Sequence, residues 1–130
     1  MGTKLFLLFS HSLGEEQKED ARRRFGVEQF VPLPESLQKA WSNVPPDLPE
    51  LKDFQLPIRN WLFQHATAGD YVLAQGDFGM VYHAVQDAWN LGLIPVYATT
   101  SRESKETIQA DGSVRTQRIF KHVQFRIYGK

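Results

Sequence analysis

Residues 70–91 limit the possible folds most, because they pass from an apolar run through a glycine turn into a helix. Tyr71–Ala74 is a short apolar run of strand type. Gln75-Gly76-Asp77 ends the run, and residues 78–91 carry apolar side chains at helical spacing. In α/β proteins the unpaired N–H groups at such a helix start bind anionic or nucleotide-like ligands. The stretch therefore predicts a buried strand with a ligand site at its carboxyl end.

The preceding and following segments alternate strands and helices in the same manner. The apolar runs and their periodicity predict strands at residues 4–9, 28–33 and 94–98, and helices at residues 13–25, 35–41 and 49–66. Pro57 lies inside the last of these helices, so we expect a kink there or a helix start near Gln55. Such alternation is typical of an α/β protein with a mostly parallel sheet and helices on both faces. We expect the first four strands in the order 2-1-3-4.

The C-terminal part is predicted to extend this sheet with an antiparallel β-hairpin. Asp111-Gly112 is a typical hairpin turn, and residues 114–128 have strand character. Residues 101–112 are polar, and we expect them to form a mobile loop. Its length and polarity are compatible with a lid, but the sequence does not determine whether it closes over a ligand. Regular alternation along the last strand places Lys121 on the same face as Phe125 and His122 on the opposite face.

Length and composition indicate one globular domain spanning residues 1–130. The chain has 130 residues, of which 42% are hydrophobic, and its formal net charge is zero. A protein that coats DNA or RNA needs a basic surface to displace counterions, so duplex DNA is not an expected partner. The chain contains no cysteine, which excludes disulfides, thiolate zinc sites and a cysteine nucleophile. Metal-ligand spacing is also lacking, so we predict neither a metal nor another cofactor.

The apolar run near the N-terminus is too short to be a targeting or membrane segment. Its central part, residues 5–9, is followed at once by the polar Ser10-His11-Ser12. A signal-peptide core and a membrane span both need longer apolar stretches. We therefore interpret the run as the first buried strand of a cytoplasmic protein that does not bind membranes.

Polar clusters follow three of the predicted strands, and ligands bind outside the carboxyl ends of such strands. With the expected strand order these clusters converge. The predicted ligand-binding residues are Ser10, Ser12, Gln75, Gly76, Asp77, Phe78, Gly79, Thr99, Thr100, Ser101 and Arg102. The predicted catalytic residues are His11, Lys121 and His122, which offer two imidazoles and one ammonium group.

Ordinary structural roles would also explain several of these residues. Ser12 has capping-box spacing to Glu15, and Asp77 is a typical N-cap for the helix after it. Gly76 and Gly79 fit a tight turn, and the Lys-Ser/Thr ending of a P-loop is missing. Because a carboxylate repels phosphate, Asp77 would instead contact a sugar hydroxyl or a base.

Four stretches of the chain resemble a known family. They read Lys-Leu-Phe-Leu-Leu-Phe-Ser-His-Ser-Leu from residue 4, Tyr-Val-Leu-Ala-Gln-Gly-Asp-Phe-Gly from 71, Ile-Pro-Val-Tyr-Ala-Thr-Thr-Ser-Arg from 94 and Phe-Lys-His-Val-Gln-Phe-Arg from 120. The whole pattern is similar to the small stand-alone CRISPR-associated proteins of type III systems, which are grouped with the ring nucleases. The resemblance covers nearly the whole chain.

The resemblance implies a Rossmann-like, CARF-like domain that forms a homodimer and linearises cyclic oligoadenylate second messengers, most simply cyclic tetra-adenylate. Cleavage is expected without metal, by attack of a ribose 2′-hydroxyl that leaves a 2′,3′-cyclic phosphate end. His11 would act as general acid or base. Lys121 and His122 would stabilise the phosphorane or protonate the leaving oxygen.

Two other classes of function remain open at this point. The first is a CARF-like sensor or sequestering module that binds the cyclic nucleotide without cutting it. The second is a nucleotide- or phosphate-binding domain unrelated to CRISPR. Cleavage and binding assays on cyclic tetra-adenylate separate all three.

Overall fold

The structure, a computed structural model, describes residues 2–130. The described residues form five strands and four helices. In chain order these are β1 (Thr3–Leu8), α1 (Glu15–Phe25), β2 (Val27–Pro32), α2 (Glu35–Ser42), α3 (Lys52–His65), β3 (Tyr71–Ala74), α4 (Phe78–Asn90), β4 (Ile94–Ile108) and β5 (Val114–Ile127). None of the helices in this part of the chain is long and apolar enough to cross a membrane.

The five strands form one sheet in the order β2-β1-β3-β4-β5. β1 pairs in parallel with β2 and β3, β3 pairs in parallel with β4, and β4 pairs antiparallel with β5. The predicted α/β class, with a mostly parallel sheet and an antiparallel C-terminal strand pair, is thereby confirmed. The carboxyl ends of β1 and β3 and the part of β4 near Ala98 lie side by side at one edge of the sheet, which we call the carboxyl edge.

Both faces of the sheet are covered, which explains why the central strands are continuous apolar runs. Leu5 of β1 packs toward α1, whereas its neighbour Phe6 packs toward α2, α3 and α4. Both side chains are fully buried. One face is thus covered by a single helix and the other by three, and the two faces offer different surroundings to side chains at the carboxyl edge.

Helix starts differ from the sequence prediction at two places. The N-cap of α1 is Gly14, whose N–H donates to Gln17 Oε1 at 2.9 Å, so the prediction of Ser12 as N-cap is wrong. The α3 helix begins at Lys52 rather than near Gln55, and Pro57 is accommodated within it.

The predicted irregular loop at residues 101–112 is wrong for most of its length. Residues up to Ile108 continue β4, and their partners on β5 run to Val114. The Asp111-Gly112 turn is confirmed, because the Gly112 N–H donates to Gln109 O at 3.0 Å and Gly112 has a φ of 86°. Residues 101–108 are polar because both faces of this strand pair are exposed to solvent, and not because the segment lacks regular structure. We call residues 101–108 with 114–122 the ribbon.

A β-bulge at Val123 changes which ribbon side chains face α1. Thr99 pairs with Gln124 but Thr100 pairs with His122, so Val123 has no partner on β4. A bulge residue reverses the inward–outward alternation beyond it. His122 therefore lies on the same face as Phe125, with 4.8 Å between the ring centroids. The predicted faces of Lys121 and His122 are both wrong for this reason.

Asp87 of α4 gives a test of how buried charge affects stability. Burial raises the pKa of this carboxyl, while the nearby Arg59 and His83 lower it less. A raised folded-state pKa favours folding below the unfolded pKa, and this contribution is lost as pH rises through the folded value. We expect Asp87→Asn to stabilise the protein near neutral pH by about 1 kcal/mol or less, because it removes a desolvated charge. The Arg59 ion pair that is lost with it contributes little, since Arg59 is half exposed.

The measurement is the midpoint of urea unfolding for wild type and Asp87→Asn at several pH values. The difference should shrink as the solution is acidified. A variant that is less stable at neutral pH would show that the Arg59 ion pair, at 3.8 Å, outweighs the desolvation of Asp87.

Candidate functional site

Gln75, which directly follows β3, forms hydrogen bonds with residues of β1, β4 and α2. Its N–H donates to Leu8 O at 3.1 Å, and its side-chain Oε1 accepts from the Ala98 N–H at 2.7 Å. Its carbonyl accepts from the Trp41 indole N–H at 3.0 Å. The ends of β1, β3 and β4 are therefore held in fixed relation, as a preorganised ligand site requires.

The turn after Gln75 is shaped by packing. A Cβ on Gly76 would lie 2.9 Å from Trp41 Nε1, and a Cβ on Gly79 would lie 2.7 Å from Leu51 Cδ1. Asp77 is the N-cap of α4, with its Oδ2 accepting from the Met80 N–H at 3.1 Å. Phe78 differs from these residues because its side chain is 94% exposed. A phenyl ring exposed at the carboxyl edge offers a flat surface on which a nucleobase can stack.

Asp77→Ala is expected to lower the free energy of unfolding by about 1 kcal/mol, the usual cost of removing an N-cap. Thermal unfolding of the free protein measures it. Asp77→Asn is the matched control, since its side-chain oxygen can still accept from Met80. An Asp77→Ala variant as stable as wild type would contradict the capping role and leave a ligand role as the reason for this residue.

A cleft of about 500 Å³ opens on the α1 face, beside the ends of β1 and β2. Its floor is apolar and includes Leu7, Phe9 and Phe30, and its rim includes His11 and Lys18. His11 is exposed, and its ring meets that of Phe9 edge-on at 5.3 Å. An apolar floor with a few polar groups, at this volume, is typical of a small-ligand pocket.

The two serines around His11 have different surroundings. Ser10 Oγ accepts from Ser42 Oγ of α2 at 3.1 Å, which directs it toward α2. Ser12 is exposed and lines the same cleft as His11. Gln38 Nε2 donates to both the Phe9 carbonyl and Ser42 Oγ, and so fixes the chain just before His11.

The predicted site residues on β4 lie where that strand passes from the sheet core into the ribbon. Thr99 Oγ1 donates to Gln124 O at 3.0 Å, while Thr100 and Ser101 pair with residues of β5. The Arg102 guanidinium lies over the Phe120 ring, 5.5 Å from its centroid. The strand pairing carries these residues past the level at which β3 ends, so they form a wall of the carboxyl edge rather than its floor.

Among the described residues, His122 makes the shortest contact between a basic and an acidic side chain. Its Nε2 lies 2.8 Å from Oδ2 of Asp20 on α1, and the two side chains are only 7% and 6% exposed. Arg23 and Arg24 approach Oδ1 of the same carboxylate at 3.3 and 3.8 Å. We call Asp20 and His122 the dyad.

The other imidazole nitrogen of His122 is unsatisfied. Nδ1 is buried and has no hydrogen-bond partner within residues 2–130. In either protonation state this nitrogen is a donor or an acceptor, and burying it unpaired is costly. His122 also lines a depression of about 260 Å³ with Glu16, Glu19 and Arg23. The dyad thus presents an oriented imidazole that lacks one partner.

Tyr128 is the titratable group on the opposite face at this edge. Its hydroxyl donates to Ala74 O at 2.6 Å, and burial raises its pKa, with Tyr97 beside it adding to the effect. Tyr128 therefore stays protonated in the physiological range and serves as a fixed donor between β5 and β3.

The structure brings some of the predicted site residues together and separates others. Gln75, at the end of β3, lies beside β4 next to Thr99, because its Oε1 accepts from the Ala98 N–H, whereas β4 continues beyond Thr99 to Ile108. His11 and His122 line different depressions that share no residue, and Lys121 faces away from α1. Sequence reasoning missed Asp20. Its position directly before Ala21, one of the few apolar residues of α1, is the local signal that could have identified it.

These features define an α/β domain with an open carboxyl edge and an oriented aspartate–histidine dyad. The profile of the Uncharacterized protein MJ1673 family matches residues 3–126, and the chain belongs to that family. It is 48% identical to Uncharacterized protein MJ1673 of Methanocaldococcus jannaschii over 125 residues, which cover 96% of each chain. No solved structure matches the chain significantly.

Proposed function

We propose that this protein is a ring nuclease that cleaves cyclic oligoadenylate by metal-independent attack of a ribose 2′-hydroxyl. The observation that carries the proposal is the dyad, in which a buried carboxylate orients an imidazole whose second nitrogen lacks a partner. Such a pair can move a proton without a metal or a nucleophilic side chain. The choice of substrate depends on the sequence resemblance to ring nucleases.

The proposed reaction moves one proton to the protein and one to the product. His122 donates its Nε2 proton in a hydrogen bond to Asp20. Because Nδ1 is buried in the free protein, the proposal requires the ribbon to shift when the ligand binds, after which the Nδ1 lone pair accepts the proton of the 2′-hydroxyl. The 2′-oxygen bonds to phosphorus, and the bond from phosphorus to the 5′-oxygen breaks. That leaving oxygen takes its proton from the solvent, because His11 lines a different depression and Lys121 lies on the opposite face of the ribbon from His122. Holding the nucleophile in line with the phosphate supplies much of the rate.

Ligand binding is assigned to the exposed groups at the carboxyl edge. Phe78 offers a stacking surface for an adenine, and the cleft beside His11 has room for another base. Arg102 and Lys121 are exposed cations on opposite faces of the ribbon, and either can pair with a phosphate. A cyclic oligonucleotide is rotationally symmetric, which suits a homodimer presenting the same groups twice.

A second candidate, a sensor or sequestering module, is favoured by a different feature of the same site. Arg23 and Arg24 pair with Asp20 as well, which is the pattern of a structural charge network. In that case the dyad holds the ribbon against α1 and the protein binds the cyclic nucleotide without cutting it.

The deciding experiment incubates the purified protein with labelled cyclic tetra-adenylate in the presence of EDTA. Linear products with 2′,3′-cyclic phosphate ends support the nuclease. Binding without products supports the sensor. Cleavage that requires an added divalent metal, or neither binding nor cleavage, would overturn the proposal.

A further inference from the structure

The outer side of β5 is a free edge of the sheet. β5 is the last strand in the sheet order, so one of its sides has no neighbouring strand. In an antiparallel pair, the main-chain groups of successive residues point alternately toward the partner strand and away from it. The Tyr128 N–H donates to Pro95 O of β4 at 3.0 Å. The main-chain groups of Phe125 and Ile127 therefore point away from β4, to the free edge.

This free edge offers mainly hydrogen-bond donors. The outward carbonyl of Phe125 already accepts from Arg24 Nη1 at 3.5 Å, and that of Ile127 accepts from the Lys130 N–H at 3.3 Å. The outward N–H groups of Phe125 and Ile127 have no strand beside them. An added strand would use donors and acceptors in alternation, so this stretch is poorly suited to strand pairing. Main-chain donors on their own are suited to an anion.

Three cationic side chains surround these two N–H groups. Arg24, Arg126 and Lys130 line a depression of about 420 Å³ at this edge, and no acidic side chain from residues 2–130 lines it. Since the chain carries as many acidic as basic residues, this excess of positive charge is a local feature. The positive potential of the three groups favours an anionic ligand in the depression.

The Arg24 side chain is held in place within the free protein. Its Nε lies 3.8 Å from Oδ1 of Asp20, and its Nη1 donates to the Phe125 carbonyl. A guanidinium has five N–H donors in a planar fork that matches the oxygens of a phosphate, so donors remain for a ligand. Because the side chain is already ordered, it loses less conformational entropy when a ligand binds.

The depression also has an apolar wall. Phe25, Phe125 and Ile127 line it together with the cations. The Phe25 ring is half-buried and stacks on Tyr71, with 4.3 Å between the ring centroids. Such a wall can accommodate an organic group attached to an anion. The depression shares no lining residue with the cleft beside His11 or with the depression beside the dyad, so it is a separate site.

We propose that this depression, which we call the edge site, binds a phosphate group, either free or as the monoester of a small organic molecule. The two guanidinium groups and the ammonium group neutralise its charge. The main-chain N–H groups of Phe125 and Ile127 donate to its oxygens. This inference concerns a second site and does not depend on the proposed nuclease activity.

Two arginine substitutions test the proposal. Arg126→Gln removes one cation from the edge site, and Arg115→Gln, its matched control, removes the same charge from the exposed ribbon. NMR titrations with inorganic phosphate and with phenyl phosphate, at constant ionic strength, follow the main-chain N–H resonances of Phe125 and Ile127. Both resonances should shift to saturation. Arg126→Gln should weaken binding about 10-fold, the effect of losing one charge-assisted hydrogen bond, and Arg115→Gln should leave it unchanged.

The two probes separate free phosphate from an organic phosphate. Tighter binding of phenyl phosphate identifies a monoester as the ligand, whereas equal or weaker binding identifies free phosphate, and both results support the edge site. Phenol is the control for the apolar wall. Far-UV circular dichroism checks that both variants fold.

Three results would overturn the proposal. The first is a pair of resonances that do not shift with either phosphate probe, as expected if the cations only protect an edge strand from aggregation. The second is equal affinity of the two variants for phosphate. The third is a shift with phenol as large as that with phenyl phosphate. No cyclic oligoadenylate is present in these titrations, so a failure of the nuclease assay leaves their outcome unaffected.

Discussion

His122→Gln is expected to slow the cleavage of cyclic tetra-adenylate by about 10²- to 10⁴-fold while leaving its affinity within a few-fold. Positioned general bases contribute rate accelerations of this size. Glutamine retains a polar group that can still donate to Asp20, so the contact at 2.8 Å is not replaced by an unpaired buried charge. Single-turnover rates and a separate binding assay measure the two effects independently.

Two further variants show whether the effect belongs to the dyad. Asp20→Asn should lower the maximal rate by about 10- to 100-fold with little change in the substrate concentration at half-maximal rate, since it weakens the orientation of His122 and its ion pairs with Arg23 and Arg24 without changing a residue assigned to ligand binding. His65→Gln is the matched control, because His65 is exposed at the end of α3, away from the carboxyl edge. Full cleavage by His122→Gln would remove His122 from the mechanism and leave His11 as the general base to test next.

Trp41→Ala is expected to reduce the free energy of unfolding by about 3 to 5 kcal/mol. The indole of Trp41 is 2% exposed, packs in the larger core beneath the sheet and donates to Gln75 O at 3.0 Å. Its loss leaves a cavity and an unpaired carbonyl at the end of β3. Because small domains are stable by only about 5 to 15 kcal/mol, a large part of the total would be lost. Urea unfolding followed by circular dichroism measures it.

Trp89→Ala is the matched control for that change. Trp89 is the same residue type, but its side chain is about half exposed and contacts the C-terminal Gly129 rather than the core. Trp89→Ala should reduce the free energy of unfolding by much less than Trp41→Ala does. Equal losses at both positions would falsify the assignment of Trp41 as the residue that fixes the β3 turn.

The arrangement of the central sheet was predictable because its signals are local and mutually consistent. Tyr71–Ala74 is apolar throughout, Asp77 is a good N-cap, and the helix after it has a clear inward stripe. Parallel strands joined by helices permit few arrangements, so the order of the first four strands followed from the alternation.

The ribbon and the dyad were harder to predict because non-local contacts decide them. Residues 101–108 are polar, and pairing with β5 makes them a strand. The bulge at Val123 has no local signature, yet it decides which neighbour, Lys121 or His122, meets α1. Asp20 lies in a highly charged helix, where its burial depends on a partner 102 residues away. Such information is carried by the tertiary structure and only weakly by sequence spacing.

At the bulge the two strands differ in length. Between the pairs Thr99–Gln124 and Thr100–His122, β5 has one extra residue, Val123, and β4 has none. One residue inserted into β4 after Thr99 would restore equal lengths and let Val123 pair. The outer part of the hairpin would then turn over, with Ile119 and Lys121 on the α1 side and Phe120 on the other. Inserting or deleting a single residue between Thr99 and Thr100 would therefore determine which of the two ribbon faces lies on the α1 side. No side chain in the ribbon would need to change.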